Sequence, residues 1–140
     1  MKLLLETSRL IVNQASESDL ENYIKLYMSE DVRRLMYTRA RDAAQVTEWL
    51  KASIEHQSQY GFSVGTVFEK SSGDFIGRAG LAHIGKDADV DEVEVDCYLL
   101  KPYWRKGYGE ELLQAFFECG FTTHRINKIV ATVYPINTPA

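Results

Sequence analysis

The pattern of apolar and polar residues predicts a chain of alternating strands and helices. Between Val93 and Leu99 every second residue is apolar, which predicts a strand with one buried face and one polar face. Further strands are expected over Leu10–Ala15, Phe62–Glu69, Phe75–Ile84 and Ile126–Val133. Apolar residues at helical spacing predict helices over Asp19–Met28, Asp31–Met36, Asp42–Gln59 and Gly109–Thr122.

The order of these elements predicts an α/β fold built on a mixed sheet. Ser71–Asp74 is a turn sequence, so the strands on either side of it form an antiparallel hairpin. The last three elements are strand, helix and strand, and such a crossover makes its two strands parallel. The length of 140 residues fits one domain over residues 1–140.

Composition narrows the classes of function. The net charge of −4 argues against a broad basic surface for nucleic acid or for an anionic membrane. The apolar run Leu3–Leu5 is too short for a signal-peptide core and no run is long enough to span a bilayer, so we expect a cytoplasmic protein. Cys97 and Cys119 show no metal-binding spacing, and we expect two reduced thiols and no metal.

The turn after the alternating strand carries the clearest chemical signal. Gly107 and Gly109 permit a tight backbone there, and the helix that follows begins with unpaired amides, which attract anions. Arg105 and Lys106 add positive charge at the same place. A diphosphate fits this turn, although a plain glycine turn between strand and helix gives the same two glycines.

Two other phosphate-binding motifs do not match this turn. A Walker loop requires Gly-Lys followed by Ser or Thr, and that sequence does not occur. A dinucleotide fingerprint requires a third glycine near the first strand, whereas Gly107 and Gly109 lie late in the chain.

The segment Leu100–Glu111 (LKPYWRKGYGEE) resembles the acetyl-CoA loop of GNAT acetyltransferases, whose pattern is Gln/Arg-x-x-Gly-x-Gly/Ala. Trp104 stands at the first position and departs from that pattern. It matches instead the form Pro-x-Trp-x-Lys-Gly-Tyr, which is typical of the branch of ribosomal-protein N-terminal acetyltransferases (RimJ/RimL). Three further segments resemble the same branch in the right order: Leu5–Leu10, Asp74–Leu81 and Asn127–Asn137.

The resemblance implies a mostly antiparallel mixed sheet with flanking helices, and acetyl-CoA as co-substrate between the splayed fourth and fifth predicted strands. Main-chain groups of Cys97, Tyr98 and Leu99 would bond the pantetheine arm, and a bulge near Leu99 would aim an amide at the thioester carbonyl. Asn137 matches a family asparagine that contacts the cofactor, although a turn residue is the plainer alternative. The diphosphate would be held by amides of the turn, at Arg105, Lys106, Gly107, Tyr108, Gly109 and Glu110.

The implied reaction is direct transfer of an acetyl group to a primary amine, which needs a base to remove the proton of the amine. Glu94 is the first candidate, because it lies on the polar face of its strand and matches an acidic family position. Repulsion among Glu94, Glu92 and Asp96 would raise a carboxylate pKa. Tyr134 is the candidate acid for the departing thiolate, and His83 is an alternative proton relay. Solvated acids, a packed tyrosine and a structural histidine are the simpler interpretations.

The acidic stretch 87–96 favours a cationic acceptor, such as a protein N-terminus, a lysine or a polyamine, and a solvated loop is the simpler alternative. The family continues past the position of Asn137 through another helix and strand, so we expect this chain to lack them. The exposed edge of the last strand would then favour a homodimer. The alternative to an active enzyme is a module that binds CoA or a partner chain without turnover, and a nucleotide-binding regulatory domain is a more distant third.

Overall fold

The computed structural model describes residues 2–36, 38–83 and 92–131. The strands in these ranges are β1 Leu3–Glu6, β2 Leu10–Gln14, β3 Val64–Glu69, β4 Phe75–His83, β5 Glu92–Leu99 and β6 Lys128–Ala131. The helices are α1 Leu20–Tyr27, α2 Glu30–Arg33, α3 Ala43–Tyr60 and α4 Tyr108–Thr122. None of the described helices combines the length and the apolarity that crossing a bilayer requires.

The strands form one sheet in the order of the chain, from β1 to β6. Neighbouring strands from β1 to β5 are antiparallel, and β5 and β6 are parallel. A parallel pair needs a crossover, because the chain must return to the end of the sheet where the first strand began, and α4 provides it. The predicted mixed sheet, hairpin and crossover are confirmed.

Helices cover both faces of the sheet. α4 buries Leu112 and Phe116 against one face, in a cluster that includes Leu81 and Val95 of the strands. A second cluster lies on the other face, where α1 and α3 contribute Tyr23, Leu26, Tyr27, Val46 and Leu50. Successive residues of β5 therefore enter different layers, since neighbouring side chains of a strand point to opposite faces.

The ends of α3 follow from local chemistry. Asp42 accepts a hydrogen bond from the amide of Gln45 (2.9 Å) and caps the first turn. Gly61 follows the last residue with φ 80°, a left-handed conformation that glycine adopts without strain. The helix predicted over Asp42–Gln59 is confirmed to within one residue at each end.

Four elements differ from the sequence prediction by more than one residue. β3 begins at Val64 and not at Phe62, and α2 covers Glu30–Arg33 and not Asp31–Met36. The other two are β1 and β6.

The pattern does not predict β1, whose four residues are held extended by pairing with β2. Ile126 lies before β6 and not in it, because its side chain is buried in the core and its amide donates to Gly120 O (3.0 Å). The predicted end of that strand at Val133 lies outside the described residues.

Candidate active site

The N-terminus of α4 presents unpaired main-chain donors. Gly107 is the residue before the helix, with φ 80° and ψ 6°, and no side chain of the described residues caps the helix. The first bond of the helix runs from the amide of Glu111 to Gly107 O (3.1 Å), so the amides of Tyr108, Gly109 and Glu110 precede it. Together with the helix dipole, these amides form an anion site.

The space in front of these amides suits a diphosphate. A Cβ atom placed on Gly109 would meet no atom within 4 Å, so the approach to the helix end is open. Arg105 and Lys106 are exposed beside it and supply positive charge. The predicted loop thus places its two cations beside an open helix N-terminus, an arrangement that attracts an anion.

The hairpin between β1 and β2 holds this loop in place. The Thr7 hydroxyl donates to Glu111 Oε2 (2.5 Å), and the amide of Arg9 donates to the same oxygen (3.1 Å). The Arg9 guanidinium donates to Glu111 Oε1 (2.7 Å) and to Lys106 O (2.9 Å). Burial raises the pKa of Glu111, but the hydrogen bonds from Thr7 and Arg9 outweigh burial and lower it. One carboxylate in the first turn of α4 therefore ties the loop to the sheet.

Tyr108 ties the loop to the sheet at a second point. Its hydroxyl donates to Glu69 Oε2 (2.6 Å), and the Ser72 hydroxyl donates to Glu69 Oε1 (2.7 Å). The bond between Tyr108 and Glu69 raises the pKa of the phenol and lowers the pKa of the carboxyl, because it favours the neutral donor and the charged acceptor. The guanidinium carbon of Arg9 lies 4.4 Å from the centroid of the Tyr108 ring.

We expect Glu111→Gln to weaken this anchor. Both oxygens of Glu111 accept hydrogen bonds. Glutamine keeps the shape but replaces one of them by an NH2 group that faces a donor and leaves the other neutral, and charge-assisted bonds are the stronger kind. Because the ion pair is partly exposed, the free energy of unfolding should fall by about 1–2 kcal/mol. CoA should bind about three- to ten-fold more weakly. Urea unfolding and calorimetric titration measure the two effects. Glu118→Gln, exposed on the same helix, is the matched control, and equal losses in both variants would contradict the anchor.

The main chain of β5 offers alternate residues to its two neighbours. The amide of Leu100 donates a hydrogen bond to Ile76 O (2.8 Å). Hydrogen-bonded and non-hydrogen-bonded pairs alternate along an antiparallel ladder, so this bond and the register of β4 with β5 fix which residues of β5 bond β4. The main-chain groups of Cys97 and Leu99 consequently point toward the β6 side, whereas those of Tyr98 bond β4. The main chain of Tyr98 is thus engaged with β4, and the Cys97 amide bonds the carboxyl of Asp96.

The bulge expected near Leu99 is wrong for the β4–β5 ladder, where pairing continues in unbroken register along the described strands. A Cβ atom on Gly77 would lie 2.2 Å from Tyr98 O, so the absence of a side chain allows the two strands to approach closely at this point. The amide of Leu99 reaches the β6 side through ordinary strand alternation instead. Its carbonyl accepts a hydrogen bond from Trp104 Nε1 (2.6 Å), which gives the unusual tryptophan of the loop a partner.

The face of β5 toward α1 carries a largely buried ion pair. Arg78 of β4 donates to Asp96 and to the hydroxyl of Tyr27. The side chains of Arg78 and Asp96 are 14% and 22% exposed. Burial raises the pKa of Asp96 to about 7, and a hydrogen bond from the Cys97 amide partly opposes that rise. Burial also lowers the pKa of Arg78.

The three acidic residues of this face lie in different environments. Glu92 Oε2 is 3.8 Å from Lys128 Nζ, and Asp96 is engaged by Arg78. Glu94 is half-buried between them and forms no salt bridge within the described ranges. The raised pKa therefore belongs to Asp96, and its cause is burial and not the repulsion expected among the carboxylates.

His83 packs within a cluster of rings at the end of β4. Its ring centroid lies 4.3 Å from that of Tyr60 and 5.5 Å from that of His56. His56 Nδ1 lies 2.8 Å from Phe62 O, and its Nε2 accepts from the amide of His83 (3.1 Å). Burial lowers the pKa of His56, which favours the neutral ring. These contacts support a structural role for His83 over a proton relay.

Two of the predicted site residues lie outside the described residues. They are Tyr134, the candidate acid, and Asn137, the candidate cofactor contact.

The residues that hold the site in place were missed by sequence reasoning. Arg9 and Glu69 lie far from the loop along the chain, and no local spacing relates either to Tyr108. Arg78 does carry a signal, because it is a charged residue between apolar neighbours in the middle of β4, and such a residue requires a partner.

Known proteins resemble this chain over nearly its whole length. The acetyltransferase (GNAT) domain profile matches residues 9–140. The uncharacterized N-acetyltransferase p20 of Bacillus licheniformis is 30% identical over 139 residues, which cover 99% of this chain and 71% of that protein. An acetyltransferase structure from Agrobacterium tumefaciens has a TM-score of 0.78 at 19% identity, over 98% of this chain and 77% of the other.

A ribosomal-protein-S5-alanine acetyltransferase structure from Vibrio fischeri has a TM-score of 0.76 at 16% identity, over 99% of this chain and 78% of the other. At such identities the two structures show the fold alone. The match of the domain profile to nearly all of the chain decides the family. This chain belongs to the GNAT acetyltransferases.

Proposed function

We propose that this enzyme transfers an acetyl group from acetyl-CoA to a primary amine, on a protein N-terminus or on a small molecule. The observation that carries the proposal is the run of unpaired amides at the start of α4, beside Arg105 and Lys106. A helix N-terminus with adjacent cations favours a diphosphate, which CoA carries. GNAT acetyltransferases use acetyl-CoA as co-substrate.

In this proposal, main-chain groups form most of the binding site for acetyl-CoA. Amides from Arg105 to Glu110 hold the diphosphate, and groups of Cys97 and Leu99 on the β6 side bond the pantetheine arm. The Leu99 amide is the donor for the thioester oxygen, on which negative charge develops as the amine attacks. Asn137 adds a side-chain contact to CoA.

Glu94 removes the proton that blocks attack. Acetyl-CoA supplies a thioester that is activated toward amines, but an amine is mostly protonated near neutral pH. Glu94 accepts this proton, directly or through a water molecule, since its carboxylate is half-buried on β5 and forms no salt bridge within the described residues. The amine nitrogen then attacks the thioester carbon to form the C–N bond, and the C–S bond breaks as the oxyanion collapses. Tyr134 donates a proton to the departing thiolate, and the second proton lost by the nitrogen returns to the tyrosinate.

The acceptor in this proposal is cationic, and a protein N-terminus is the first choice. The loop has the form Pro-x-Trp-x-Lys-Gly-Tyr of the RimJ/RimL branch. One similar structure is a ribosomal-protein-S5-alanine acetyltransferase. The acidic sequence 87–96 adds negative charge that attracts a cation.

Thiol release from acetyl-CoA tests the reaction. The amine panel contains a peptide with a free N-terminus, the same peptide with a blocked N-terminus, free lysine and a polyamine. We expect thiol release that requires both the protein and an unblocked amine, with a mass gain of one acetyl group on the acceptor. Calorimetric titration with CoA tests the binding step separately. Binding without thiol release from any amine would support a module without turnover, and a folded protein that ignores millimolar CoA would refute the proposal.

A further inference from the structure

A pocket beside the loop is lined by several cationic side chains, in addition to the amides at the N-terminus of α4. The pocket has a volume of about 430 Å³ and is lined by Asp31, Arg34, Lys101, Trp104 and Arg105. The chain from 31 to 34 belongs to α2 and its end, whereas the other three residues follow β5. Two segments that are distant in sequence therefore bring their cations to the same opening.

The positive charge of the pocket is neutralised only in part by its own lining. Lys101 Nζ lies 3.5 Å from Asp31 Oδ1, and Asp31 is the single acid of the lining. Arg34 and Arg105 face the same space and are both exposed. Like charges held together repel each other unless an anion lies between them. An excess of cations around an open cavity is therefore complementary to an anion.

The backbone of Arg105 supports the same conclusion. Its φ is 62°, in the left-handed region that residues with a side chain rarely adopt and that glycine adopts freely. Such conformations concentrate at functional sites, where the side chain is needed in spite of the strain. Arg105 stands two positions before Gly107, the residue that precedes α4. The loop can thus present its amides to one anion and this guanidinium to another.

The position of the pocket separates it from the reacting amine. Glu94 lies five positions before Leu99, the end of β5, and a strand advances about 3.3 Å per residue, so the two are roughly 17 Å apart along the strand. The pocket begins beyond that end, at Lys101. An anion in the pocket is therefore close to the diphosphate site and far from the proposed base.

We infer that this pocket binds the 3′-phosphate of CoA and so distinguishes CoA from dephospho-CoA, an inference that rests on the proposed function. CoA carries two anionic groups, the diphosphate and a phosphate monoester on the adjoining ribose. With the diphosphate at the amides of α4, the monoester is the remaining anion within reach of Arg105. Guanidinium groups of Arg34 and Arg105 bond phosphate oxygens in pairs, and Trp104 forms a wall of the cavity.

Calorimetric titration of the folded chain with CoA and with dephospho-CoA, at one ionic strength, tests the inference. We expect CoA to bind about ten-fold or more tightly than dephospho-CoA. Arg34→Gln and Arg105→Asn should each reduce that ratio, and the double variant should bring it close to one. Asparagine is chosen at 105 because it tolerates the left-handed backbone. Lys51→Gln, exposed on α3, controls for the loss of one positive charge and should leave the ratio unchanged.

Affinity for dephospho-CoA should be the same in the wild-type protein and in Arg34→Gln, which a damaged loop or a misfolded chain would not give. Arg105→Asn should weaken the binding of CoA more than that of dephospho-CoA, because Arg105 also adds positive charge beside the diphosphate. Equal affinities of the wild-type protein for the two ligands would overturn the inference and leave CoA binding intact. The inference would also be overturned if neither arginine substitution changed the ratio of the affinity for CoA to the affinity for dephospho-CoA. A folded protein that binds neither ligand would overturn the proposed function itself.

Discussion

Glu94→Gln is expected to lower kcat for amine acetylation by about 10²- to 10⁴-fold, the range that a general base contributes. Glutamine preserves the size of the side chain but cannot accept the proton of the amine. KM for acetyl-CoA should stay within about two-fold, since the loop before α4 binds the donor without this carboxylate. Steady-state thiol release at saturating amine measures both quantities. The rate of the variant should also rise steadily with pH, as the fraction of free amine grows.

Glu92→Gln is the matched control for that experiment. It makes the same chemical change on the same face of β5, at a carboxylate that already lies 3.8 Å from Lys128 Nζ. Its kcat should equal that of the wild-type enzyme. Full activity in both variants would remove Glu94 from the proposed mechanism, and so would an equal loss in both.

Arg78→Met is expected to lower the free energy of unfolding by about 3–5 kcal/mol, the usual cost of leaving one buried charge without its partner. Asp96 would keep its burial and lose its counter-ion, and the Tyr27 hydroxyl would lose the same donor. This is a large fraction of the stability of an ordinary domain. Urea unfolding measures it. Arg41→Met, at an exposed position before α3, is the control and should change stability little.

The deficit of Arg78→Met should depend on pH in a defined direction. Burial already raises the pKa of Asp96 to about 7, and removal of the guanidinium would raise it further. A carboxyl with a higher pKa in the folded than in the unfolded state favours folding when it is protonated. Because the unfolded state is the same for both proteins, their difference depends only on the two folded-state pKa values, about 7 in the wild type and higher in the variant. The deficit should therefore be nearly constant below pH 7 and grow as the pH rises above 7.

The double variant Arg78→Met/Asp96→Leu isolates the buried charge. Replacing both partners by apolar side chains removes the ion pair without leaving a charge behind, so it should cost less than Arg78→Met alone. A double variant that is less stable than the single one would show that packing around these side chains, and not the charge of Asp96, causes the loss.

Elements with a clear hydrophobic period could be predicted from the sequence. The alternation of β5 and the helical spacing of α3 reflect directly which side of each element faces the core. β1 could not be predicted, because four residues are too few to show a repeating pattern of apolar and polar positions. Their extended form depends on pairing with β2. The hairpin and the crossover followed from turn residues and chain order.

The candidate site was predictable where it is local. Gly107, Gly109 and the cations before them occupy one short stretch, and a helix start with exposed amides needs nothing from elsewhere to bind an anion. The sequence also predicted that Cys97, Tyr98 and Leu99 lie in one strand. Which of them bonds β4 through its main chain depends on how the two strands align. Sequence spacing does not set that alignment.

By itself, the sequence determined the alternation of β5, the glycine turn and the helix that begins after it, because neighbouring residues produce each of these features. Only the tertiary structure decided that Arg9 meets Glu111 across 102 positions and that Arg78 meets Asp96 across 18. Those contacts arise from strand register and from the packing of helices on the two faces of the sheet. No stretch of sequence encodes them alone, since each needs both partners brought together by the whole fold.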